Sequence, residues 1–127
     1  MIVLNDNGIA IDKNTGTIGE YLKQLPSDNK SNLFEAMGIS YFGPVDGHNI
    51  PLLIEQLEKL KSEKGPKLLH VVTVKGKGFK KAEQDQTRFH APGQFDRNTG
   101  EIVAKEKGFD TYPEVFGKSM VELASHD

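Results

Sequence analysis

The sequence predicts an α/β domain: a parallel sheet flanked by helices. Three observations predict it. Short apolar runs suited to strands alternate with segments of helical spacing, in the order strand, helix, strand, helix, strand. The clearest run, KLLHVVTV at residues 67–74, is almost continuous in Leu and Val, as a strand covered on both faces requires. A polar, glycine-bearing cluster follows each strand, and right-handed crossovers would bring all three to the carboxyl edge, where α/β sheets gather ligands.

In chain order, MIVLNDN opens with apolar residues and stops at Asn-Asp-Asn, the pattern of a buried parallel strand. The first residue already lies in that strand, so a segment of a longer polypeptide is expected. TIGEYLKQL, residues 17–25, sets Ile18, Tyr21, Leu22 and Leu25 at helical spacing, and Thr17 with Glu20 fits a capping box. PSDNKSN, residues 26–32, reads as a loop. LFEAMGISYFG, residues 33–43, predicts a helical turn ended by Gly38, then a short strand through Tyr41 and Phe42.

PLLIEQLEKLKSEK, residues 51–64, predicts a helix with Leu53, Leu57 and Leu60 on one face and a Glu55–Lys59 pair. Pro51 suits its first turn, Asn49 or Ile50 its entry, and Gly65-Pro66 its stop. After KLLHVVTV the chain is irregular to about residue 112, with turn signals at Pro92-Gly93 and Asn98-Thr99-Gly100. A last helix is expected from about residue 115, carrying Val115, Met120, Val121 and Leu123.

The 127 residues suit one domain of modest core, with 36% hydrophobic and 27% charged residues. A net charge of −2 supplies no concentrated cationic face for nucleic acid. No apolar run approaches a membrane span, and the N-terminus lacks a secretory layout. The absence of cysteine excludes disulfides and thiolate-held zinc and is compatible with a cytoplasmic setting.

Each polar cluster supports two readings. Asn5, Asp6 and Asn7 offer oxygens to a hard cation such as magnesium, or simply turn the chain. In GPVDGHN, Asp46 and His48 form a conceivable catalytic dyad, or they hold the loop and cap the next helix. VKGKGF has glycines and Lys75 and Lys77 in place to meet a phosphate, without the Walker spacing, or is a plain turn. His70, inside the apolar strand, reads as a satisfied core histidine. His90, in TRFHAPG, is an idle surface group or one that reaches over the site. His126 reads as idle, and the lysines at 75, 77, 80 and 81 as a solvated face.

LNDNGIAI, LFEAMGISYFGPVDGHNI, GPKLLHVVTVKGKGF, RFHAPGQFDRNTGEI and the ending YPEVFGKSMVELA, in this order, resemble the thiamine-diphosphate domain of the 1-deoxy-D-xylulose-5-phosphate synthase family. Transketolases and the E1 subunits of 2-oxoacid dehydrogenases share a DGH-like loop but match the later segments less well. The resemblance implies part of a transketolase-like, thiamine-diphosphate-binding domain over residues 1–104, with a linker and the start of a pyrimidine-type domain over 105–127. It implies an enzyme that condenses pyruvate with glyceraldehyde 3-phosphate, releases carbon dioxide and serves isoprenoid and thiamine biosynthesis. It also implies a homodimer at full length, with thiamine diphosphate and Mg2+ as cofactors.

By the same resemblance, Asn7 and the Ile9 carbonyl would meet the metal, Lys75 the diphosphate, and His90 the reacting centre. Asp46 and His48 belong to the family signature without an assigned role. The family's Gly-Asp-Gly and its catalytic glutamate have no counterpart in these 127 residues, and PSDNKSN stands where the family carries a longer segment. A split subunit of a related enzyme, or an α/β module without chemistry, is the competing expectation.

Overall fold

The computed structural model describes residues 1–25, 31–103 and 108–125. They fall into two compact units, residues 1–91 and 92–127. The expected domain boundary at residues 104/105, most of the loop at 26–32, and His126 lie outside the described residues.

The first unit is a parallel three-stranded sheet in the order β1-β3-β2, formed by β1 (Ile2–Asp6), β2 (Ser40–Asp46) and β3 (Lys67–Val72). Helices α1 (Thr17–Lys23) and α2 (Leu33–Ala36) lie between β1 and β2, and α3 (Ile50–Ser62) joins β2 to β3. The α/β parallel sheet predicted from the strand–helix alternation is therefore the observed one.

The central place of β3 explains its composition. Leu68, Leu69, His70 and Val71 are all buried, and Leu60, Leu69 and Val71 form the core with Phe42, Val45, Leu53 and Leu57 packed against them. Strand β1 departs from expectation. It sits at the edge with one neighbour, and Ile2 and Val3 are each about half exposed, so its apolar run is not buried.

Strand β2 runs further than expected, through GPVD to Asp46. Phe42 pairs with Leu69 and Val45 with Val71, so β2 carries one extra residue opposite His70. Pro44 donates no hydrogen bond to a ladder, which makes this the natural place for a bulge. The Gly43–Pro44 peptide is cis.

Helix α3 begins as expected, with Asn49 Oδ1 accepting from the Leu52 N–H at 3.1 Å and Pro51 in the first turn. Glu55 and Lys59 pair at 2.6 Å. The capping box expected at α1 does not form. Gly16 is its N-cap, which puts Thr17 inside the helix, and Glu20 pairs instead with Lys23 at 2.8 Å. Asn32 caps α2, its Oδ1 accepting from the Phe34 and Glu35 N–H groups.

The second unit holds a turn and a helix. Asp96 Oδ1 accepts from Asn98 and Thr99 N–H groups, closing the expected Asn98-Thr99-Gly100 turn. Helix α5 (Tyr112–Ala124) starts three residues before the expected position. Pro113 and Glu114 account for this: Glu114 Oε2 accepts from both the N–H and the hydroxyl of Thr111. Between β3 and α5 lies one further short helix, α4 (Lys80–Gln84), in chain expected to be irregular.

Candidate active site

Parallel pairing sends all three strands to the same edge, and the loops that follow them meet there. Thr73 N–H donates to the Asp6 carbonyl, Thr73 Oγ1 to Asn5 Oδ1, and Gly47 N–H to the Val72 carbonyl. The edge is thus tied from both sides of β3.

Beneath the edge, the polar side chains have structural work. His70 is fully buried, with Nδ1 at 2.7 Å from Tyr41 Oη and Nε2 at 3.2 Å from Asp6 Oδ2. The Asp6 carboxylate only accepts, so the neutral ring carries its proton on Nε2, and Nδ1 accepts from the Tyr41 hydroxyl. His70 is therefore the satisfied core histidine expected, and no buried polar side-chain atom among the described residues lacks a partner.

Burial, followed by the electrostatic influence of Tyr21 and Asp6, pushes the Tyr41 hydroxyl from 10.0 up to about 12. Between those values the native state keeps a proton that the unfolded chain releases, so stability is intact below about pH 10 and falls toward pH 12. Tyr41→Phe is expected to remove this part of the alkaline loss. Urea titrations at pH values on either side of the window, comparing the two proteins, measure it; identical pH slopes would contradict it.

The loop after β1 turns on its own side chains. Asp6 Oδ1 accepts from Gly8 N–H at 3.0 Å and Asn7 Oδ1 from Ile9 N–H at 3.1 Å, which is the turn reading of this cluster. Ile9 is buried. Asn7 also lines a cavity of about 680 Å³, together with Asp6, Thr17, Lys23 and Thr73, whereas Lys75 and His90 do not.

Lys75 and His90 meet directly. Lys75 Nζ lies 2.7 Å from His90 Nδ1 and donates to the Ala10 carbonyl at 2.8 Å. An ammonium only donates, so His90 Nδ1 accepts and its proton is on Nε2. The loop carrying His90 is held by Gln86 Nε2 donating to the Lys75 carbonyl at 3.0 Å. An edge-to-face contact of Phe79 with Phe89 at 5.5 Å and the turn bond from His90 N–H to the Thr87 carbonyl complete the support.

The predicted residues thus sit on one rim in two pairs: Asn7 with Ile9, and Lys75 with His90. Ala10 links the pairs. Sequence reasoning missed Gln86, Phe79 and Ala10, which have no motif of their own and matter only through contacts made in the fold. Asp46 and His48 form no dyad. Asp46 Oδ1 accepts from the His48 backbone N–H at 2.8 Å, and His48 Nε2 accepts from the Val74 N–H at 2.8 Å.

The described residues do not complete a hard-cation site by themselves. Asn7 and the Ile9 carbonyl supply two oxygens against the six that Mg2+ takes. Among the described residues no group of three or more His, Cys, Asp or Glu side chains could hold a metal. Nor is any described helix long and apolar enough to cross a membrane.

The fold and its rim define an α/β parallel-sheet domain with a polar, lysine- and histidine-bearing site at the strands' carboxyl ends. Residues 27–73 match the family model described as 1-deoxy-D-xylulose-5-phosphate synthase. The chain is 38% identical to the 1-deoxy-D-xylulose-5-phosphate synthase of Cytophaga hutchinsonii over 98% of its length, covering 26% of that protein. For the Parabacteroides distasonis enzyme the figures are 38%, 100% and 27%, and for that of Clostridium tetani 40%, 99% and 26%.

The chain belongs to the 1-deoxy-D-xylulose-5-phosphate synthase family, and spans about a quarter of the length of the curated relatives it matches. The alignment with the Parabacteroides protein runs over 169 positions for the 127 residues here, so about 42 positions of that relative face no residue of this chain.

Proposed function

We propose that this chain forms the diphosphate and metal side of the coenzyme site in a thiamine-diphosphate-dependent transferase of the transketolase type. The reaction is that of a 1-deoxy-D-xylulose-5-phosphate synthase: pyruvate and glyceraldehyde 3-phosphate condense with loss of carbon dioxide. Isoprenoid and thiamine biosynthesis would use the product. A cytoplasmic homodimer is the expected working form of the intact enzyme.

The observation that carries this reading is the Lys75 ammonium bridging the Ala10 carbonyl and His90 Nδ1, which joins three loops at one rim. When bound, thiamine diphosphate supplies the nucleophilic carbon and the electron sink for decarboxylation. Lys75 spends two N–H donors within the protein and keeps a third for a phosphate oxygen. His90, protonated on Nε2, offers a neutral donor to a substrate oxygen. Asn7 and Ile9 would contribute two oxygens to a magnesium shell that needs further ligands beyond the described residues, so no step is routed through the metal.

Two measurements test the reading. The 127-residue chain alone should show no synthase turnover, and no saturable heat when titrated with thiamine diphosphate and Mg2+ at millimolar concentrations. Residues 33–101 should work when grafted into the matched stretch of the Clostridium tetani relative, giving pyruvate- and aldehyde-dependent release of carbon dioxide. His90→Ala in that graft should lower kcat by about 100-fold or more. A folded graft that turns over equally well with His90→Ala would overturn the assignment, and one that never turns over would favour a module without chemistry.

A further inference from the structure

We propose that His48 is a positioning residue, whose imidazole clasps the loop after β3 and sets Lys75 against His90. The ladder explains why a clasp is needed there. Thr73 N–H still donates to the Asp6 carbonyl, and the Val72 carbonyl still accepts from Gly47. The next backbone donor, Val74 N–H, lies past the end of β3, and it donates to His48 Nε2 at 2.8 Å. Lys75 is the very next residue.

The three residues Asp46, Gly47 and His48 divide this task. Asp46 Oδ1 holds the His48 backbone N–H, fixing the turn from which the ring projects. Gly47 brings that turn within van der Waals reach of β3, since a Cβ there would lie 2.5 Å from Val71 Cγ1 and 2.6 Å from Thr73 Cγ2. His48 then crosses to the neighbouring loop, with Nε2 as acceptor and the ring proton on Nδ1. Asn49 starts α3 immediately afterwards, so the clasp is anchored to a regular element.

The consequence reaches His90 in two steps. Val74 fixes the start of the lysine loop, which is closed by the Lys77 N–H bond to the Val74 carbonyl. The loop fixes Lys75, and Lys75 keeps His90 in the Nε2–H form. The clasp itself stands on geometry alone. Its value for catalysis rests on the reading of Lys75 and His90 given above.

The test uses the 127-residue chain labelled with nitrogen-15, without coenzyme. A through-hydrogen-bond coupling between the Val74 amide nitrogen and His48 Nε2 is expected in the unmodified protein. His48→Leu should speed Val74 amide exchange by about 10-fold or more and move the His90 ring-nitrogen shifts away from the pure Nε2–H pattern. His48→Gln, which keeps an acceptor, should restore both signals toward the original.

Absence of the coupling overturns the clasp whatever the variants do, including a leucine variant that fails to fold. A folded leucine variant with unchanged Val74 exchange and His90 shifts overturns the positioning role. Because no readout needs coenzyme or turnover, the clasp can hold even if the proposed activity fails, and the reverse.

Discussion

Gly43→Ala is expected to be one of the two most destabilising single substitutions in the chain, losing about 2–6 kcal/mol of stability. Gly43 has φ of 117°, outside the range L side chains adopt with ease, which costs about 1–3 kcal/mol for alanine. An added Cβ would also lie 2.4 Å from the His70 carbonyl oxygen and 3.2 Å from His70 Cβ, in the middle of the central strand. Backbone cannot swing aside as a side chain does, so overpacking of this kind costs about 1–3 kcal/mol more. Small domains hold only about 5–15 kcal/mol in total, and this sheet has a short core.

Gly65→Ala is the control. Gly65 also has positive φ, of 84°, but a Cβ there meets nothing within 4 Å. It should lose only the conformational part, about 1–2 kcal/mol, and remain folded. Amide spectra and urea midpoints distinguish the two. Equal losses would mean that the contact with His70 is unimportant.

The same stretch shows where sequence reasoning stops. KLLHVVTV, nearly continuous in Leu and Val, predicted a strand buried on both faces, and Leu68 to Val71 are buried at the centre of the sheet. MIVL looks similar but lies at an edge, and no local pattern distinguishes a run with two neighbours from a run with one. GPVD contains the residues of a loop, yet it continues β2, because a bulge opposite His70 accommodates both the glycine and the proline. At α1 the capping signature was present in Thr17 and Glu20, and Gly16 took the cap position instead.

The site was legible to a similar depth. Parallel topology alone brought the loops bearing Asn7 and Lys75 to one rim, since strand direction decides which loops are neighbours, whereas His90, which follows no strand, was placed there only by the family resemblance. The contact of Lys75 with His90 depends on loop geometry 15 residues apart, and that of His48 with Val74 spans 26. Hydrogen-bond partners at such separations leave no spacing rule in the sequence. His48 illustrates this: its motif was visible, while its partner is a backbone N–H that any residue type would supply.

His70→Ala should be the other severe substitution. Removing a fully buried ring leaves a cavity between Tyr41 and Asp6, on the face of β3 opposite Leu69 and Val71, which costs roughly 2–5 kcal/mol in comparable deletions. It also strips the Tyr41 hydroxyl and Asp6 Oδ2 of their shared partner. Both groups lie nearer solvent than His70, so water can recover part of that loss, which keeps the orphaning penalty at the low end of about 1–3 kcal/mol. His70→Leu separates the two effects by filling most of the space while offering no nitrogen, and should lose about half as much as His70→Ala. Adding Tyr41→Phe to His70→Leu should then cost less than Tyr41→Phe does alone, because the hydroxyl it removes has no ring left to donate to. Strict additivity in urea unfolding would show that the tyrosine and histidine act independently, and that packing alone keeps His70 in the centre of the sheet.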